Sequence, residues 1–511
     1  MKRKKGKDFI MADLLIIGGG VSGLSAGIYA QKLGHRAVIC EKLPTPGGNL
    51  TGWRRGDFLI DNCIHWLTGT NPSSPLYEMW DDLGALGDNI PVWRPESLYT
   101  CECDGLTLSL YRDWNRVERD MLSLSPCDKR EIRRLSRAVR TLQNASGIGG
   151  PRKNRGLTPS ALLFGAFPLL RDYNLTTGEL ASKFRHPLIR SFLTSFLSEE
   201  ISSLALLFVM AHFCGGNADL PIGGSIPMAN RMVERFRDLG GKLLLNKEAA
   251  CIDCEDGRAA GVRFSDGTSA HADEIVLTID PAVAFPKLLG LPMSKAFTKQ
   301  YHHPRLSRFS AFQCAFACDR EALPFRGDYV WELSPTLAFR LGSKTILLRE
   351  FSHDPSAAPA GKTVLQAMLP CTEDAARRAI TLSKDPVAYH QKKQEFATLV
   401  FDLILQKFPS LEGRSYCLDV WTPATYRRFT GAEIGSFMSF FFGAGTLPTM
   451  VDGRVPGLEN LTFSCQWQRA PGGLPIAAAC GKAAAYAIAK KYRAVAREEE
   501  KERAPRRATV R

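Results

Sequence analysis

Gly18-Gly19-Gly20-Val21-Ser22-Gly23 decides the fold of this chain through what stands on either side of it. The apolar run Ala12 to Ile17 predicts a buried parallel strand, and Leu24 to Leu33 predicts a helix, with Val21, Leu24 and Ile28 at helical spacing on one face. Gly18, Gly20 and Gly23 form a G-x-G-x-x-G. The first glycine permits a tight turn, the second lets the backbone approach a pyrophosphate, and the third lets helix and strand pack closely. Ser22 lies in the first helical turn, whose free N–H groups and partial positive charge favour an anion. A second strand, Arg36 to Cys40, ends at Glu41, followed by Lys42. An acid at that distance accepts hydrogen bonds from both hydroxyls of an adenosine ribose. Glycine-rich turns are common, but strand, glycines, helix, strand and acid in this order predict a dinucleotide site.

The next segment contains Gly47-Gly48-Asn49. An NAD domain needs no second close backbone approach directly after the ribose acid, whereas a longer cofactor with a flavin folded back over the loop does. An ordinary Pro/Gly turn is the plainer reading of the same residues. Arg54 and Arg55 follow, either within reach of a pyrophosphate or on a solvated turn, and Phe58 to Asp61 predicts a short strand.

With 511 residues the chain has room for two or more domains with large cores. Its net charge of +14 is concentrated at the ends, in Lys2 to Lys5 and in Lys490 to Arg511. No nucleic-acid-binding motif accompanies it, so a weak attraction to anionic lipid is the better use of the charge. No signal peptide is expected at the N-terminus, because its apolar run reads as the first strand of the nucleotide domain. No apolar run reaches the ~20 residues of a spanning helix; Ser160 to Leu170 and Ile201 to Phe213 are expected as buried helices, or as parts of a lipid-lined tunnel. Fourteen cysteines lack a disulfide framework, and the close pairs Cys101 and Cys103, Cys251 and Cys254, and Cys314 and Cys318 lack further zinc ligands, so no metal is expected. Free thiols in a reducing cytoplasm fit this usage.

Two later stretches complete the pattern: Thr422-Pro423-Ala424-Thr425-Tyr426-Arg427-Arg428-Phe429-Thr430-Gly431, and Gly457 to Phe463 followed by Gln466-Trp467 and Pro471-Gly472-Gly473-Leu474-Pro475. Together with Gly18 to Gly23, Glu41, Gly47-Gly48 and Phe58 to Gly69, the chain resembles the phytoene desaturase family, which includes carotenoid desaturases, carotene isomerases and retinol saturases and, more distantly, amine oxidases. Asn49 stands where many members carry Arg. Asn62-Cys63-Ile64-His65 is nearer the isomerase and saturase branches than the bacterial phytoene desaturases.

The resemblance implies an α/β fold: a Rossmann-type FAD-binding domain of the glutathione reductase and amine oxidase kind, with an inserted α+β substrate domain. FAD is the implied cofactor, bound at Gly18, Gly20, Ser22, Gly23, Glu41 and Lys42, at Gly47, Gly48 and Asn49, at the backbone near Ala249, and at Gln466, Gly472, Gly473, Leu474, Pro475 and Ile476. The last residues open an Ala-rich helix, Pro475 to Tyr492, whose N-terminus would face the flavin. The expected division is a basic tail at 1–10, FAD-binding segments at 11–75, 223–285 and 455–492, substrate segments at 76–222 and 286–454, and a charged disordered tail at 493–511. The second substrate segment holds expected strands at Phe309 to Phe316, Thr345 to Phe351 and Thr363 to Leu369.

The activity implied is desaturation, saturation or isomerisation of an apolar, polyene- or isoprenoid-like small molecule by a cytoplasmic enzyme with peripheral membrane contact. An FAD-dependent amine or porphyrinogen oxidase, and a prenyl-binding chaperone of the GDI kind, share the fold. Hydride transfer to a flavin needs little side-chain acid–base help; His65 is the one candidate group near the ring, against the plainer role of a structural histidine.

Overall fold

The strand Ile10–Ile17 lies at the centre of a sheet in a computed structural model that describes residues 10–145, 167–446 and 449–503. Parallel neighbours Ala37–Cys40 and then Lys242–Leu244 flank it on one side, and Ser269–Leu277 on the other. Leu461–Phe463 closes the parallel layer. Ser269–Leu277 has two characters. Its first half alternates in burial and pairs antiparallel with Arg258–Phe264, which pairs in turn with Ala249–Glu255. Its second half is buried throughout and parallel to the centre. No turn residue interrupts Ser269–Leu277, so both halves belong to one long strand.

Three helices pack on this sheet through missing side chains. A Cβ on Gly27, in the helix Val21–Lys32, would meet Phe236 of the helix Ser225–Asp238 at 2.7 Å. A Cβ on Gly481 would meet Ala26 N at 2.7 Å, so the helix Leu474–Arg503 lies directly against the first helix. The Ser25 hydroxyl donates to the Ala478 carbonyl at 2.7 Å across that contact. The last helix runs past Tyr492 to Arg503, which corrects the expected disordered tail at 493–511 over its first part.

The two expected substrate segments join in a second, seven-stranded sheet. Its order is Ser415–Trp421, Ser310–Asp319, Lys362–Cys371, Thr345–Glu350, Asp328–Glu332, Ser97–Cys103 and Leu106–Tyr111. Every pairing is antiparallel except that of Asp328–Glu332 with Ser97–Cys103, which stitches the first segment to the second. Helices including Lys129–Ala145 and Ser203–Cys214 cover it over a core containing Tyr99, Phe192 and Met210. The expected boundary at residue 75 does not follow the packing. The helix Pro75–Asp82 buries Met79 and Trp80 in the same core as Leu14, Ile16 and Leu24. Residues 1–9, 146–166, 447–448 and 504–511 lie outside the described residues, and with them the first part of the apolar run that begins at Ser160. No described helix is long and apolar enough to cross a membrane.

Candidate functional site

The glycines of the opening loop divide into two kinds. Gly18 has φ +109°, and a Cβ there would lie 2.6 Å from the Thr278 hydroxyl. A Cβ on Gly23 would overlap the Gly18 carbonyl, so this glycine sets the helix against its strand and does not line the cavity. At Gly20 the nearest atoms to an added Cβ are Gly47 O and Gly48 Cα, both 3.8 Å away. Gly47 N donates to Gly19 O at 2.9 Å. The two glycine turns thus face each other with no side chain between them.

Glu41 is buried, and its carboxylate accepts from Gly19 N at 2.7 Å and from Leu43 N at 2.9 Å. It fixes the loop over the first helix and lines the cavity. Ser22 donates its hydroxyl to Ser464 O at 2.6 Å, which leaves only its backbone for a ligand. Lys42 reaches the Arg428 carbonyl at 3.1 Å, and burial lowers its pKa. Asn49 Nδ2 donates to Phe437 O at 2.8 Å, tying the second glycine turn to a segment far along the chain. Arg54 and Arg55 stand on the hairpin of Gly52–Arg55 with Phe58–Asp61, outside the cavity wall, and Arg55 pairs with Asp419.

At the far end of the chain Gln466 Oε1 accepts from Gly473 N at 2.9 Å. Gly472 is held so close to Ser439 that a Cβ would meet Ser439 N at 2.7 Å. This turn aims the N-terminus of the helix Leu474–Arg503, with Leu474, Pro475 and Ile476, into the space faced by the N-terminus of the first helix. Two positive helix ends converge there.

A cavity of about 1110 Å³ joins these features. That exceeds the ~300–1,000 Å³ usual for a small-ligand site, leaving room for more than one molecule. The expected residues other than Gly23 line it: Gly18, Gly20, Ser22, Glu41 and Lys42 near one end with Ala249, and Gly47, Gly48, Asn49, Gln466 and Gly472 to Ile476 further along. FAD fits this donor set, because glycine turns without Cβ atoms, uncapped helix N–H groups and a buried carboxylate meet in one space. Beyond, the cavity enters an arm walled by Trp66, Phe196, Leu204, Phe208, Phe309 and Met368. Phe441 and Phe442 also line the cavity, whereas Phe440 packs on Tyr301 and Trp467 in the core.

Where cofactor residues and arm meet, a buried polar cluster sets the wall. The Tyr426 hydroxyl accepts from Gln313 Nε2 at 2.5 Å and Trp421 Nε1 at 3.2 Å, and donates to Asn62 Oδ1 at 3.0 Å. Asp61 accepts from Ser225 N and its hydroxyl, and from the N–H groups of Cys63 and Ile64. Burial still pushes the Asp61 pKa up against those bonds. His65 lies on the cavity wall, and burial, reinforced by the charge of Arg349, pushes its pKa well down, so it is a neutral imidazole. Sequence reasoning missed Asn62 and Tyr426 as parts of this wall. Tyr426 lay in a recognised segment, but its partners Gln313 and Trp421 come from strands whose pairing no local pattern reveals.

A model of the family described as flavin containing amine oxidoreductase matches residues 21–393. Prolycopene isomerase 1, chloroplastic, of an Oncidium hybrid cultivar is 25% identical over 483 residues, covering 88% of this chain and 78% of that protein. The lycopene-forming phytoene desaturase of Pseudescherichia vulneris is 22% identical over 469 residues, covering 84% of this chain and 89% of that protein. Among solved structures, an oxidoreductase from Methanosarcina mazei superimposes with a TM-score of 0.60 at 17% identity, over 91% of this chain and 98% of its own.

Proposed function

Because the chain belongs to the flavin containing amine oxidoreductase family, we propose that it is an FAD-dependent oxidoreductase that introduces, saturates or isomerises double bonds in an apolar, polyene- or isoprenoid-like substrate. The observation that carries this reading is the continuity of one cavity, from the paired glycine turns into an arm with apolar walls.

In this reading Gly18, Gly20 and the first turn of the helix Val21–Lys32 hold the pyrophosphate, Glu41 the ribose, and the backbone at Ala249 the adenine side. Gly47 to Asn49 and Gly472 to Ile476 hold the flavin. When bound, FAD supplies two-electron redox chemistry that side chains lack. The N-terminus of the helix Leu474–Arg503 favours negative charge at that end of the cavity and so raises the potential of a group that becomes anionic on reduction. The apolar wall excludes water and orients the chain to be oxidised or reduced. The nucleotide-binding sheet is the FAD domain, and the seven-stranded sheet with its helices is the substrate domain. The enzyme is cytoplasmic and peripheral on membranes, its net charge of +14 drawing it to anionic lipid from which the substrate enters.

An amine substrate fits less well. The carboxylates lining the cavity are Glu41, Glu248 and Asp280, at the cofactor end. Each is already committed: Glu41 to two backbone N–H groups, Glu248 to Lys287, and Asp280 to Tyr301, Ala282 N and Glu433 N. Among the described residues of the arm no counter-charge awaits an ammonium group. Organic extraction of the purified protein tests the reading. Conjugated or isoprenoid chains are the expected co-purifying compounds, and an extract holding only small polar amines would overturn it.

A further inference from the structure

We propose that the His65 imidazole is the recognition point for one uncharged oxygen of the substrate, so that the ligand of the arm is a long apolar chain bearing a hydroxyl or carbonyl group. This rests on the reading of the arm as the substrate site.

The loop carrying His65 is fixed on both sides. Asp61 accepts from Cys63 N at 3.0 Å and Ile64 N at 3.2 Å. Arg349 Nη1 donates to Ile64 O at 3.0 Å while its guanidinium pairs with buried Asp328. The next residue, Trp66, stands 5.3 Å ring to ring from Phe196 on the arm wall. His65 therefore enters the cavity where the cofactor turns give way to apolar wall. Among the described residues its ring nitrogens have no hydrogen-bond partner, although nearby polar groups do. Tyr426 and Asn62 bond to each other, and the Arg349 charge is matched by Asp328.

His65 is half-buried on the cavity wall, and an apolar chain filling the arm strips water from its ring, so a ligand whose own oxygen completes the imidazole is favoured over one that cannot. Burial and the Arg349 charge keep the imidazole neutral, with one N–H donor and one acceptor nitrogen. A hydroxyl satisfies both and a carbonyl satisfies the donor. The Cys63 thiol, pushed up by burial, adds no charge beside it.

The test uses quenching of intrinsic tryptophan fluorescence by a long isoprenoid alcohol and by the hydrocarbon of the same chain length, with wild-type, His65→Phe and His65→Gln protein, each checked for FAD retention and melting. The alcohol should bind wild type at least about tenfold more tightly than the hydrocarbon, the worth of one hydrogen bond to a buried group. His65→Phe should bring that ratio below about twofold by weakening the alcohol alone, and His65→Gln should restore part of it. Equal binding of both ligands to wild type, or an unchanged ratio in His65→Phe, would overturn the assignment of His65. Binding of neither ligand would overturn the arm as a substrate site, and this proposal with it.

Discussion

Gly20→Ala separates cofactor binding from folding. Gly20 has φ −75°, which alanine adopts freely, and the added Cβ meets nothing nearer than 3.8 Å. Removing a glycine's freedom in the unfolded chain stabilises by about 0.4–1 kcal/mol. Losing a tolerated glycine at a helix N-cap costs about as much. The apo-protein should therefore melt within about 1 kcal/mol of wild type. The new methyl nonetheless stands between the two glycine turns, where the pyrophosphate must approach. Losing two charge-assisted N–H bonds at ~1.5 kcal/mol each weakens FAD binding by about 3 kcal/mol, or about 150-fold in Kd. Gly23→Ala is the opposite case, because its Cβ would overlap the Gly18 carbonyl. It should cost about 3 kcal/mol of apo-protein stability. Titration of apo-protein with FAD by flavin fluorescence, beside chemical denaturation without FAD, reads both quantities. An FAD affinity for Gly20→Ala within threefold of wild type would refute the placement of the pyrophosphate, whatever the melting curve showed.

Glu41→Gln should reduce FAD affinity by about tenfold or more, because an amide cannot accept from Gly19 N, Leu43 N and a ribose together; equilibrium dialysis of apo-protein checks it. Tyr426→Phe leaves Gln313, Trp421 and Asn62 without their shared partner and should lower stability by about 2 kcal/mol in urea denaturation. Buried His212 has its pKa pushed down to about 4 by desolvation from an ordinary value of 6.5. The unfolded chain therefore takes up a proton first as pH falls. His212 alone should then contribute a loss of about 3 kcal/mol between pH 6.5 and pH 4, with His65 and His353, whose pKa values burial also lowers, adding to it in the same direction, and His212→Gln should make the fall shallower by about that share.

The nucleotide-binding half was legible because its signals are local. Strand, glycine turn, helix and terminal acid follow one another within residues 12–41, and the contact that excludes a Cβ at Gly23 is with the backbone of the same loop. The substrate half was legible only in pieces. The strands expected at Phe309 to Phe316, Thr345 to Phe351 and Thr363 to Leu369 fall within or beside the observed Ser310–Asp319, Thr345–Glu350 and Lys362–Cys371. Their union with Ser97–Cys103 through a parallel pairing with Asp328–Glu332 depends on contacts far apart in sequence. Residues 76–82 fell in the expected substrate segment for the same reason: only the fold shows that Met79 and Trp80 of the helix Pro75–Asp82 share a core with Leu14 and Ile16. At the site, Asn49 and Ser22 were read as cofactor residues, yet their side chains serve Phe437 and Ser464. A motif gives the position of such residues and leaves their hydrogen-bond partners to the fold.

The most direct test of the account is anaerobic incubation of the FAD-reconstituted protein, once oxidised and once with its flavin reduced by dithionite, with an acyclic polyene, offered as hydrocarbon and as its terminal alcohol in lipid vesicles, beside a panel of primary and secondary amines. Products are separated chromatographically and flavin absorbance is followed throughout. The account predicts a change in the number or geometry of conjugated double bonds in the polyene and no reduction of the flavin by amines. Flavin bleaching by an amine, with the polyene recovered unchanged, would contradict it.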